Sequence, residues 1–69
     1  MKISARNILK GTVTSITKGA TTSHVKIDIG GGSIVTASIT NTAVDELKLA
    51  TGKPAYAVIK ASDVMVGID

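Results

Sequence analysis

Two short segments near opposite ends of a 69-residue chain carry the residue types that a small anion needs. The first is Ser4-Ala5-Arg6-Asn7, which offers a hydroxyl, small residues that let main-chain N–H groups approach, and a guanidinium. The second is Lys60-Ala61-Ser62, an ammonium and a hydroxyl around a small residue. Thr40, at the end of a predicted strand, adds a further hydroxyl. A dianion is held by N–H and O–H donors in a positive field, and charge-assisted bonds from Arg and Lys are about twice as strong as neutral ones. Ordinary surface charges and turn serines have the same composition, so the residues by themselves leave both readings open.

Other chemistries find less to work with. Catalysis needs an activated nucleophile, an acid/base pair or an open metal site. Asp45-Glu46 falls on a short helix and reads as a solvated face, while Asp28 and Asp63 fall on a strand and a turn. His24 alternates with apolar positions, which turns it toward solvent or a subunit interface. With 15 Ser and Thr residues, no single hydroxyl stands out as a nucleophile. There is no cysteine, and one histidine cannot build a structural zinc site. The expectation is a binding protein, not an enzyme, with no cofactor and no directly coordinated metal cation. The net charge of +3 favours small anions without demanding nucleic acid.

The elements that must position these residues are strands. Val, Ile and Thr dominate, and these side chains suit a pleated surface. Ile8 to Thr17 reads as a first strand, with Gly11 as a candidate bulge. Lys18-Gly19-Ala20-Thr21 is a turn. Val25, Ile27 and Ile29 alternate with His24, Lys26 and Asp28, the clearest period of two in the chain. Gly30-Gly31-Gly32 is a hairpin turn, and Ser33 to Thr40 a third strand. Ala43 to Leu47 forms a short helical turn, with Thr42 as its expected cap. Thr51 to Pro54 breaks the chain, Ala55 to Lys60 is a fourth strand, and Val64 to Ile68 a fifth. The expected fold is all-β: a small five-stranded OB-like Greek-key barrel with one short helix, residues 1–69 forming a single domain.

OB barrels often bind single-stranded nucleic acid by stacking bases on aromatic side chains. Tyr56 is the only aromatic residue, and the basic residues form no stripe, so that function is the weaker alternative. A domain of this size buries only about 60% of the surface its unfolded chain exposes. Without disulfides or a metal, association is the remaining device for stability. The first residues lack the apolar core of a secretory signal, and the run Ala55 to Ile59 is too short to span a bilayer. The expected location is the cytoplasm, with no membrane partner.

Three stretches together resemble the molbindins, the Mop-type, TOBE-domain binders of molybdate or tungstate. They are Met1-Lys2-Ile3-Ser4-Ala5-Arg6-Asn7 with Leu9-Lys10-Gly11, then Ile27-Asp28-Ile29-Gly30-Gly31-Gly32, then Val58-Ile59-Lys60-Ala61-Ser62-Asp63-Val64-Met65-Val66. The resemblance covers nearly the whole chain. It implies an OB-like barrel, a homo-hexamer arranged as a trimer of dimers, and oxyanion sites at subunit interfaces. Ser4, Ala5 and Arg6 match one half of such a site, Lys60, Ala61 and Ser62 the other, and Thr40 a hydroxyl that some relatives use. Some relatives carry serine where this chain has Ala43, a departure that removes one contact. A second kind of site is implied as well, and Gly19-Ala20-Thr21 is the candidate turn for it. The implied role is cytoplasmic storage or buffering of molybdate or tungstate. The alternatives are an oxyanion-sensing regulatory module and the nucleic-acid-binding barrel.

Overall fold

A computed structural model describes residues 1–69. Strand β1 spans Asn7–Lys18, β2 Thr22–Gly30 and β3 Ser33–Thr40. A six-residue helix α1, Asn41–Glu46, precedes β4, Pro54–Ile59, and a 3-10 turn covers Ala61–Asp63. The strands form one antiparallel sheet in the order β3-β2-β1-β4. Three hairpin-linked strands with a fourth returning beside the first is Greek-key order, so the all-β, OB-like architecture holds. No helix is long and apolar enough to cross a membrane.

The alternation in β2 is realised as expected. Ser23, Val25 and Ile27 are buried, while His24 and Lys26 face outward. β1 is less regular. Its ladder with β2 slips between Val13 and Ser15, which makes Thr14 the extra residue of a bulge. The slip explains why Val13 and Ile16 both turn inward at a spacing of three. Gly11 is not the bulge. Its role is close approach: a Cβ there would lie 2.3 Å from the carbonyl oxygen of Asp28 and 2.8 Å from a methyl of Ile27. The hairpin between β2 and β3 uses glycine for another reason. Gly30, Gly31 and Gly32 have φ of 94°, 62° and 82°, which side chains resist. Asp28 fixes the entry by accepting a 2.8 Å bond from the Gly30 N–H.

Two further expectations need correction. The cap of α1 is Thr40, not Thr42: the Thr40 hydroxyl accepts the Ala43 N–H at 3.0 Å. The helix starts directly where β3 stops, so the last strand residue has the extended backbone that a cap requires. The second correction is the fifth strand. Val64 to Ile68 carries the expected apolar residues but pairs with nothing, and the sheet has four strands. An extended segment becomes a strand only where a neighbour supplies ladder bonds, and composition cannot supply the neighbour.

The core is small. Val13, Val25, Ile27, Val44 and Ala57 are its buried apolar residues, with Ile16, Ile29, Val35, Ile39, Leu49 and Ala55 packed around them. Only six of 69 residues are buried in the single chain. A wide apolar hollow of about 700 Å³ opens between β3 and β4, lined by Val35, Ala37 and Ile39 on one side and Tyr56 and Val58 on the other.

Candidate functional site

The two basic segments are brought together by the β1–β4 ladder. Its pairs run from Thr12 with Pro54 to Asn7 with Ile59. Arg6 and Lys60 are the residues next beyond that last pair, and Ala61 and Ser62 already belong to the 3-10 turn. The Asn7 side-chain amide closes the ladder, donating to the Ile59 carbonyl at 3.2 Å. Residues 54 positions apart in sequence therefore start from neighbouring backbone. Beyond the ladder the chain turns: the Asp63 N–H donates to the Lys60 carbonyl at 2.9 Å and the Val64 N–H to Ala61 at 3.3 Å. The N–H groups of Ala61 and Ser62 make no backbone hydrogen bond.

Neither cation at this end is ion-paired, and Asp63 lies in the adjoining turn. The chain has one ion pair, Lys18 with Asp45 at 3.2 Å, and neither Arg6 nor Lys60 has a carboxylate partner. Ser4, Arg6, Lys60 and Ser62 are exposed and Ala5 is half-buried. Two free cations, two hydroxyls and two free N–H groups can bind an anion. No three His, Asp or Glu side chains come together as a metal cation would need.

Thr40 is not brought to this end. It pairs with Thr22, beside the last residues of β1, whereas Arg6 precedes the first. Its oxygen caps α1 and its hydrogen remains free to donate. Within one chain, then, Thr40 and the Arg6–Lys60 pair lie at opposite ends of β1.

The Gly19-Ala20-Thr21 turn is exposed and firmly held. The Gly19 N–H donates to Thr22 at 2.7 Å. Asn41 holds the turn from behind: its side-chain amide donates to the carbonyls of Gly19 and Ala20 at 3.1 and 3.4 Å, and its main-chain N–H to Thr21 at 2.9 Å. Fully buried Ser23 donates in turn to the Asn41 side-chain oxygen at 2.5 Å. The N–H groups of Ala20 and Thr21 have no backbone partner. Beside the turn is a polar recess of about 250 Å³ lined by Thr17, Lys18, Gly19, Thr22 and His24. Of the three candidate turn residues only Gly19 lines it. Sequence reasoning missed Thr17, Lys18, Thr22 and His24. The hairpin register, with Lys18 opposite Ser23 and Thr17 opposite His24, was the signal that gathers them.

Comparison with known proteins follows the same lines. The model of the TOBE domain family matches residues 3–66. A "Probable molybdenum-pterin-binding protein" of Haemophilus influenzae is 55% identical over 69 residues, the whole of both chains. MopII from Clostridium pasteurianum superposes with a TM-score of 0.90 at 42% identity, over 97% of this chain and all of that one. ModG, described as a cytoplasmic molybdate-binding protein and solved with molybdate bound, gives 0.94 at 46% identity; this chain spans 49% of it. The Haemophilus influenzae protein and ModG are described by what they bind. With the sheet order, the paired basic segments and this match over almost its full length, the chain belongs to the TOBE domain family, in its Mop-type, molbindin form.

Proposed function

We propose that this protein binds molybdate or tungstate and stores or buffers it in the cytoplasm, without catalysing a reaction. The observation that carries this reading is the ladder end at Asn7 and Ile59, which places Arg6 and Lys60 on adjoining strand ends, neither in an ion pair. Ser4, Ala5 and Arg6 supply one wall of the oxyanion site, and Lys60, Ala61 and Ser62 the other. Thr40 joins them from a neighbouring subunit of a homo-hexamer, since one chain keeps it at the far end of β1. Several donors around one tetrahedral dianion neutralise the converging cations and tie subunits together. A ring of fixed donors sized for a tetrahedron larger than sulfate provides selectivity. The recess beside Gly19, with Thr17, Lys18, Thr22 and His24, is the second oxyanion site, where free N–H groups at Ala20 and Thr21 add to the donors.

The descriptions of the relatives support molybdate over other anions. Thermal unfolding at fixed protein concentration tests the reading. A ligand bound only by the native state stabilises it by RT ln(1 + [L]/Kd), about 2.7 kcal/mol at 100-fold excess over Kd. Molybdate is expected to raise the melting temperature well above the effect of equimolar sulfate. Equal shifts from both anions would reduce the effect to general ionic stabilisation and overturn the reading.

A further inference from the structure

The inward row of β2 reads Ser23, Val25, Ile27, and all three are buried. Val25 and Ile27 are what the alternation asks for. Ser23, at 0% exposure, is not, because a buried hydroxyl costs free energy unless it is hydrogen-bonded. Its partner is the Asn41 side-chain oxygen. Asn41 is equally unexplained by the helix it begins. Thr40 already caps α1, and the Asn41 side chain bonds to no residue of that helix. Its oxygen accepts from Ser23, and its nitrogen donates to the carbonyls of Gly19 and Ala20. A buried hydroxyl and a fully engaged amide thus serve one exposed turn.

Those bonds settle where the N–H groups of the turn point. In a trans peptide the C=O and the N–H leave opposite sides of the chain, and the protein has no cis bond. The Gly19 carbonyl faces Asn41, so the Ala20 N–H faces away from it. The Ala20 carbonyl also faces Asn41, so the Thr21 N–H faces away as well. Two successive N–H groups then leave the same side of the chain, the arrangement that makes an anion-binding concavity. Gly19 makes a hold necessary, because glycine rotates with little resistance. A flipped Gly19–Ala20 peptide would present its carbonyl oxygen to an anion in place of the N–H. Charge nearby raises the demand on these donors. Lys18, the lysine of the adjoining recess, is paired with Asp45 at 3.2 Å, so part of its charge is already answered.

We propose that Asn41 and Ser23 are positioning residues of the second oxyanion site. Ser23 fixes which end of the Asn41 amide meets the turn. The amide fixes the two peptides, and the peptides aim the Ala20 and Thr21 N–H groups at one tetrahedral oxyanion. Neither side chain touches the anion. The inference rests on the second site of the proposed function and adds the residues that set its geometry. The main-chain bond from the Asn41 N–H to Thr21 does not depend on either side chain, so the turn stays attached when they are replaced. What is lost is its aim.

Amide proton resonances of the nitrogen-15-labelled protein, followed as molybdate is added, test this. In the wild type the Ala20 and Thr21 amide protons are expected to move as the anion binds. If they stay in place, there is no second site at the turn, and the inference falls with it. The decisive variant is the double replacement Ser23→Ala with Asn41→Leu. Replacing both partners of a buried hydrogen bond by apolar groups of similar shape leaves the fold nearly as stable. In it the Ala20 and Thr21 shifts are expected to need at least about tenfold more molybdate, the size of one lost charge-assisted bond. The Ala61 and Ser62 amides, at the Arg6–Lys60 end, are expected to respond at the wild-type concentration. Ala20 and Thr21 shifts at the wild-type concentration would overturn the positioning role and leave the second site standing. An equal loss at all four amides would reveal a general structural effect and overturn the role too. Ser23→Ala alone keeps the Asn41 amide and removes what orients it. It is expected to weaken the turn site and spare the other; an unchanged turn site would remove Ser23 from the proposal.

Discussion

At the scale of single residues, what sequence could reveal was residue type, and what it could not reveal was proximity. Arg6 and Lys60 stand out as donors in any reading of the chain, yet only the register of β1 against β4 makes them neighbours. Gly11 shows the same limit. A glycine among threonines suggests a bulge, and its actual reason is a carbonyl on the adjacent strand that leaves no room for a Cβ. Gly11→Ala should therefore destabilise the fold by about 1–3 kcal/mol, the usual cost of forcing extra atoms into a packed site. Chemical denaturation at fixed protein concentration measures it, and an unchanged midpoint would mean that the strands part easily at that point. The ammonium of Lys60 is a compact charge, and a planar guanidinium does not replace it. Lys60→Arg should weaken molybdate binding while leaving circular dichroism unchanged; full affinity in that variant would show that only charge matters there.

At the scale of elements, the strands were legible because the period of two in β2 and the glycine turn are strong local signals. The bulge at Thr14 was not, because it depends on how β1 must bend to meet β2 and β4 at once. The cap of α1 was misplaced by two residues for a related reason: Thr40 and Thr42 are equivalent by type, and the end of β3 decides between them. Thr40→Ala removes the side-chain bond to the Ala43 N–H and should cost about 1 kcal/mol. For a chain of this size that is a fall of roughly 4–8 °C in melting temperature. Thr42→Ala, exposed and outside the cap, should change little. A larger loss from Thr42→Ala than from Thr40→Ala would contradict the assignment. The turn at Gly19 and the recess beside it form one element with Ser23 and Asn41. Sequence placed only the turn, since Asn41 reaches it from the start of the helix, 21 residues away from Ala20.

At the scale of the whole molecule, composition already demanded a partner: few aromatics, no disulfide and a chain too short for a large core. The structure makes the demand concrete in six buried residues, an open apolar hollow and an unpaired apolar tail. The fifth strand was legible as an apolar pattern, but the segment pairs with no strand of the chain. The candidate site divides in the same way, with Arg6 and Lys60 at one end of β1 and Thr40 at the other. Titration calorimetry with molybdate, on wild type and on Arg6→Ala, Lys60→Ala and Lys26→Ala, tests the central claim most directly. A charge-assisted bond is worth about 1.5–3 kcal/mol, so loss of Arg6 or Lys60 should weaken binding about tenfold to a hundredfold with the fold intact by circular dichroism. Lys26, exposed on β2 and away from both basic segments, should bind as wild type when replaced. Wild-type affinity in Arg6→Ala and Lys60→Ala would contradict the account and move the oxyanion site elsewhere on the molecule.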